Sequence, residues 1–211
     1  MSTKTYGQFC GLARALDHVG DRWTLLIIRE LLLEQSSYGG MLATLAGIPT
    51  NLLADRLREL EADGLVERDR APDDRRRVVY RLTPQGAAIE PALLALIRWG
   101  GQWMVSGAGK DRFDARWLLL AIRAILQARS PGRPGSVRIV VDDVGVNITS
   151  TGKGPARVDA DPTGDRPDAT ISGDAALILG FVSGHLTLAE ARRLGLRTRG
   201  DRQSIEAVLG T

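Results

Sequence analysis

The chain has 211 residues, 44% of them hydrophobic and 25% charged, and a formal net charge of +3. That length suits one large domain or two ordinary ones, and the balance is that of a folding chain, not a disordered one. One cysteine, Cys10, and two distant histidines, His18 and His185, exclude an internal disulfide framework and a zinc-type Cys/His site, so no metal or cofactor is expected.

The start, MSTKTYGQFC, has neither the basic flank nor the apolar stretch of a signal peptide. No later run approaches the roughly 20 apolar residues of a membrane span, so a cytoplasmic protein with no membrane partner is expected. From Gly11 to Val19, Leu12, Ala13, Leu16 and Val19 fall at helical spacing, with Gly20 placed to end the helix. WTLLIIRELLLE, residues 23–34, is apolar nearly all round and predicts a helix buried at the centre of a domain, with Trp23 in the core. Ser36 and Ser37 can cap a third helix, YGGMLATLA, which Gly47 and Pro49 close.

NLLADRLRELEADG then places Leu53, Leu57 and Leu60 on one face, with Asn51, Ala54, Asp55 and Arg58 pointing the other way and Gly64 as a left-handed cap. LVERDR and RVVYRL read as two strands joined by the polar loop APDDRR. Thr83 and Pro84 open another helix. A helix able to read bases, followed by a hairpin with a basic tip, is the sequence form of a winged helix-turn-helix. Charge runs are usually solvated surface. At this hairpin, however, Arg75, Arg76 and Arg77 are placed to neutralise phosphates, while Asp73 and Asp74 dilute the charge beside them. Residues 1–106 carry 13 basic and 13 acidic side chains, and residues 107–211 carry 15 and 12, so any grip on DNA must come from local placement.

CGLARALDHVGDRWTLLIIRELLL (10–33), PTNLLADRLRELEADGLV (49–66) and VVYRLTPQG (78–86) resemble the HxlR family of bacterial transcription regulators over about residues 8–105. The resemblance implies a homodimeric winged helix-turn-helix that binds double-stranded DNA at a pseudo-palindromic operator. It implies that the first helix and the helix after the wing build the dimer, here through Leu12, Leu16, Leu93, Leu96, Ile97, Trp99 and Trp103. The segment EPALLALIRWGGQWM, residues 90–104, independently offers a broad apolar face with tryptophans suited to an interface. Thr50, Asn51, Ala54, Asp55 and Arg58 are the expected base readers. Family members often carry basic residues at positions 36 and 37, so phosphate contact by Ser36 and Ser37 would come from hydroxyls and backbone N–H groups. Cys10 aligns with a cysteine that some relatives use as a redox sensor. A lone cysteine among apolar neighbours is more often buried and inert, and His18 reads as a helix-surface residue.

Residues 107–113 read as a linker, and 114–211 as a second domain. DARWLLLAIRAILQA (114–128) is an amphipathic helix, followed by a hairpin of VRIVVDD and VGVNITS and two more strand-like runs in GPARVDAD and PDATISG. TSTGKG is not a phosphate loop, because Asn147 and Gly154 stand where that pattern needs a glycine and a Ser or Thr. Asp174, Thr187 and Asp201 cap three short helices, with LRTRG between the last two. The expected fold class is a mainly α winged helix-turn-helix domain followed by an α+β domain built on a mostly antiparallel sheet.

Through PDATISGDAALILGFVSG especially, the second domain is similar to sterol carrier protein type-two-like domains. That implies a pocket for a hydrophobic small-molecule effector, lined by Trp117, Ile122, Ile125, Ile139, Ile148, Ile171, Leu177 and Phe181. The same side chains would serve as ordinary core, leaving the domain for oligomer or partner contacts. With no cysteine and one histidine, this half does not read as an enzyme.

Overall fold

A computed structural model describes residues 5–71, 74–104, 109–129, 133–160 and 166–209. Asp73 and the first two residues of the expected linker, Gly107 and Ala108, lie outside these. The backbone divides into two compact units, Met1–Leu93 and Leu94–Thr211.

The first unit runs α1 (Gly11–Val19), α2 (Thr24–Leu33), α3 (Tyr38–Thr44), α4 (Thr50–Ala62), β1 (Val66–Arg70), β2 (Val78–Leu82) and α5 (Pro84–Ala87). Gly20 ends α1 in a right-handed conformation, φ −75°. Glycine is needed there for space, since a Cβ would stand 2.5 Å from the Leu16 carbonyl oxygen. The left-handed residue is Trp23, φ 78°, at the N-cap of α2. Trp23 is only half-buried; the core of α2 is Ile27 and Ile28, both fully buried. The heptad-like leucines of α4, Leu53, Leu57 and Leu60, are buried to within 1%. The helix ends as its sequence predicts, with Gly64 at φ +69° and Leu65 N–H donating to Leu60 O at 2.9 Å.

Thr83 caps α5 by accepting from Gly86 N–H at 3.0 Å. The helix then breaks: α6 is Glu90–Gly100, followed by a 3₁₀ turn at Gly101–Trp103. Two consecutive glycines, costly in a helix interior, stand where α6 stops.

The second unit contains a 3₁₀ turn (Ala115–Trp117) capped by Asp114, then α7 (Leu118–Leu126), β3 (Pro134–Val141), β4 (Val144–Thr151), β5 (Arg157–Ala160), β6 (Ala169–Ser172), α8 (Ala175–Val182), α9 (Leu188–Arg193), β7 (Arg197–Gly200) and α10 (Arg202–Leu209). Helices beside a sheet of order β5-β4-β3-β6-β7 make this region α+β. Every ladder is antiparallel except β3–β6, which is parallel and marks a crossover. One face of the sheet is apolar: Val137, Ile139, Val146, Ile148, Ala169 and Ile171 are buried to within 1%. α10 lies on that face, close enough that a Cβ on Gly135 would meet Val208 Cγ2 at 3.1 Å.

Caps hold the short helices. Asp174 accepts from Ala176 N–H, Asp201 accepts from Gln203 and Ser204 N–H, and Thr187 and Glu190 form a reciprocal capping box. Arg129 ties two helix ends together, donating to the carbonyls of Val182, Ser183 and Leu209 at 2.9, 3.1 and 2.9 Å. Arg123 Nε donates to Val158 O at 2.9 Å, joining α7 to β5.

Candidate nucleic-acid interface

Packing of Leu53, Leu57 and Leu60 into the first unit fixes which way α4 faces. Thr50, Asn51 and Arg58 are left exposed, with Ala54 and Asp55 partly so. These five predicted base readers share one surface. Within it Arg58 and Asp55 form an ion pair, Nη2 to Oδ1 at 3.0 Å, with both side chains at least half exposed. The start of α4 is anchored by Tyr38, whose hydroxyl donates to the Thr50 carbonyl at 2.6 Å. Behind it Arg56, nearly buried, pairs with Asp21 at 2.8 Å and with Glu59. Sequence reasoning missed Arg56, because a charged residue between polar neighbours gives no sign of which loop will reach it.

The wing is β1 and β2, antiparallel with Glu67 opposite Arg81. Arg81 pairs with Glu67 at 3.3 Å and Asp69 at 3.4 Å, so the acidic side chains of β1 are drawn onto the ribbon. Arg75, Arg76 and Arg77 are exposed at the turn. Asp74 beside them acts in the turn itself: its carboxylate accepts from Arg76 N–H and its carbonyl from Arg77 N–H, both at 2.9 Å. Arg68 and Arg70 are also exposed on β1. They were missed, although their two-residue spacing along the strand was a usable signal.

Ser36 and Ser37 sit at the start of α3, half-buried and internally engaged. Ser37 Oγ accepts from Gly40 N–H at 3.1 Å. Ser36 exchanges two backbone hydrogen bonds with Tyr80 at 3.0 and 2.8 Å, and its hydroxyl donates to Ser37 O at 3.3 Å. Ser36 thereby joins the helix-turn-helix to the wing, while Ser37 caps α3.

The residues predicted for dimerisation divide by exposure. Leu12, Leu16, Leu96, Trp99 and Trp103 are exposed, Ile97 is intermediate, and Leu93 is covered within the chain. Trp99 and Trp103 stack edge to face with centroids 4.7 Å apart. Cys10, expected to be buried, is exposed at the N-cap of α1. The backbone N–H groups of Ala13 and then Leu12 hold its thiol pKa below the usual range. His18 is on the helix surface as expected, its Nδ1 2.9 Å from Asp63 Oδ2. Both line a shallow cleft of about 210 Å³, with Val19, Ile28, Leu65 and Ile89 among its apolar walls.

Of the predicted pocket residues in the second unit, Ile122, Ile139, Ile148, Ile171 and Phe181 are buried to within 1%. Trp117, Ile125 and Leu177 are intermediate. The sheet register sets Ile139 beside Ile171, and Ile148 two residues along β4 from Val146, the partner of Ile139.

The HxlR-like helix-turn-helix family model matches residues 18–107. The regulator sll1512 of Synechocystis is 37% identical over 46% of this chain and 73% of its own length. YvaP of Bacillus subtilis, another helix-turn-helix-type transcriptional regulator, is 34% identical over 43% of this chain and 84% of its own. Among solved structures, the oxidised form of the redox regulator HypR is 28% identical, with 44% of this chain and 96% of that one covered and a TM-score of 0.41. The relatives sll1512 and YvaP are transcriptional regulators that align over most of their own length, and the family model covers the region that builds α2 to α6. The chain belongs to the HxlR-like helix-turn-helix family of transcriptional regulators.

Proposed function

We propose that the chain is a homodimeric repressor that binds a palindromic operator. The observation that carries this is the pairing of an exposed polar face on α4 with an exposed arginine turn on the adjoining wing. In this reading Thr50, Asn51, Ala54, Asp55 and Arg58 enter the major groove, and Arg75, Arg76 and Arg77 hold phosphates. Residues 1–106 are the DNA-binding and dimerisation part. The exposed Leu12 and Leu16 of α1 and Leu96, Trp99 and Trp103 of the α6 region supply apolar surface for the second copy. Two-fold symmetry then sets half-sites about 34 Å apart. Replacing all three wing arginines with alanine is the test. Binding to every duplex should weaken, and the slope of log affinity against log salt should flatten by roughly 0.9 for each phosphate no longer neutralised; an unchanged slope would remove the wing from the interface.

Residues 114–211 form a second domain whose apolar centre is the place for a hydrophobic effector, with Ile122, Ile139 and Phe181 among its walls. Such a ligand acts only by favouring a dimer geometry that no longer matches the two half-sites. Native mass spectrometry of freshly purified protein distinguishes a loaded domain from one whose side chains simply fill their own core and serve partner contacts.

A second reading is supported by Cys10. Its exposure and lowered thiol pKa are the conditions for a reactive thiolate. Peroxide would convert that thiolate to a sulfenate, releasing water. DNA affinity before and after peroxide, for the native chain and for Cys10→Ser, tests it.

A further inference from the structure

We propose that the outward face of the second unit's sheet, where β3, β6 and β7 lie side by side, is a second surface for the phosphate backbone of duplex DNA. The proposal rests on the reading of the chain as a DNA-binding regulator and gives that activity a second site of contact.

The register determines which side chains share this face. Ile139, Ile171 and Thr198 are aligned across β3, β6 and β7 on the core side. Their chain neighbours therefore project the other way, because side chains alternate along a strand. One outward row, read from β5 to β7, is Asp159, Asn147, Arg138, Thr170 and Arg199; the next contains Val140, Ser172 and Arg197.

Three guanidinium groups are thus gathered by tertiary pairing from positions up to 61 residues apart in the chain. With strands about 4.8 Å apart and a rise of about 3.4 Å per residue, Arg138 and Arg199 are separated by roughly 10 Å at the backbone, and Arg197 and Arg199 by roughly 7 Å. A duplex carries about one phosphate per 1.7 Å of axis, so each group has a phosphate within its reach.

The chemistry of the face favours a hydrated polyanion over a protein or an apolar ligand. From β4 to β7 its polar groups are arginine, hydroxyl and carboxamide, the side-chain types that contact phosphate oxygens, and its one carboxylate, Asp159, stands at the far β5 end. Val140 is the only large apolar side chain in the two rows, whereas a protein interface core is depleted of charge and rich in aromatic residues.

The nearby carboxylates are already engaged. Asp159, at the β5 end, pairs with Arg157 at 2.7 Å. Asp168, just before β6, accepts from the backbone N–H and hydroxyl of Ser136 at 2.8 and 2.9 Å. Asp201, just after β7, accepts from the N–H groups of Gln203 and Ser204. Arg197 and Arg199 are exposed, and among the described residues no carboxylate pairs with them.

Arginine on an edge strand also discourages sheet-to-sheet pairing. That role accounts for β7, but not for Arg138, which stands on the central strand and is held across the ladder by Nε donating to Asn147 Oδ1 at 3.1 Å.

The test is fluorescence anisotropy of the full chain on a labelled duplex at several salt concentrations. The native chain would be compared with the double variant Arg197→Gln and Arg199→Gln, and with a triple variant adding Arg138→Gln. Thermal melting confirms folding, and the double variant, confined to an edge strand, leaves the Arg138 hydrogen bond in place.

The double variant should bind all duplex sequences at least about tenfold more weakly, and its salt slope should fall by roughly 0.9 for each phosphate no longer neutralised, close to 2 in total. A folded double variant with native affinity and slope overturns the proposal. If the wing variant meanwhile fails to bind, the winged-helix reading survives alone; if the native chain binds no duplex, both fall. A flattened slope confined to single-stranded RNA of equal length overturns the assignment to duplex DNA.

Discussion

His18 Nδ1 stands 2.9 Å from Asp63 Oδ2, joining the last turn of α1 to the residue that caps α4. One of these helices carries exposed apolar surface and the other the polar face assigned to DNA, so the contact is a mechanical link between them. The His18 side chain is 53% exposed and that of Asp63 only 11%. Exposure on one side limits the strength of the pair. A double-mutant cycle of His18→Ala and Asp63→Ala, read by urea unfolding, should give a coupling of roughly 0.2–1 kcal/mol. Strict additivity would show that the two side chains are merely neighbours.

The Asp55–Arg58 pair predicts a change in selectivity without a change in the grip on phosphates. A carboxylate that orients an arginine on a reading surface restricts which base the fork can address. Arg58→Ala should cost about 1–3 kcal/mol on the preferred operator and little on unrelated duplexes. Asp55→Ala should leave binding in place but widen the set of sequences recovered by selection from random DNA. Recovery of the same narrow set would show that Asp55 does not position Arg58.

Two glycines of the first unit, Gly86 in α5 and Gly39 in α3, should respond in opposite directions. A Cβ on Gly86 would lie 1.9 Å from the Leu65 carbonyl oxygen, an overlap that only backbone movement could relieve. Gly86→Ala should therefore destabilise the first unit by at least about 2 kcal/mol. Gly39, inside α3, has open space around its Cβ position. Gly39→Ala should stabilise by about 0.5–1 kcal/mol, because alanine is the better helix former. Melting temperatures of the two variants check both signs.

Stability of the second unit should fall in acid. Hydrogen bonds from the Thr187 side chain and backbone lower the pKa of Glu190, and those from the Ser204 side chain and then the Gln203 and Ser204 backbones lower that of Asp201. A carboxylate with a lower pKa folded than unfolded contributes stability that is fully present above the unfolded value, and that contribution is lost as the pH falls through the folded value. The melting temperature should hold down to about pH 5 and drop below about pH 4. Glu190→Gln should flatten that drop; an equally steep curve in the variant would place the acid sensitivity elsewhere.

Much of the fold was legible because its signals are local. The α1 boundaries and the leucine face of α4 follow from helical spacing, and the caps at Ser37, Thr83, Asp174, Thr187 and Asp201 each need only a side chain within a few residues of the N–H it satisfies. The left-handed turn at Gly64 was legible for the same reason. Gly20 shows the limit: its position at the helix end was clear, but its role in making room for the Leu16 carbonyl was not.

The sequence by itself determined the order of helices and strands up to the wing, the polar face of α4 and the arginines of the wing turn, since periodicity, capping and turn chemistry act over a few residues; the break between α5 and α6 and the strand β7 were not in it. Only the tertiary structure decided which Ser36 and Ser37 groups are occupied, that Arg56 reaches Asp21 and His18 reaches Asp63, and that Cys10 is exposed. It also decided the parallel register of β3 and β6, and with it the meeting of Arg138, Arg197 and Arg199 on one face. These depend on pairings between segments far apart in the chain, where the energy lies in packing and complementary hydrogen bonds that no short stretch of sequence contains.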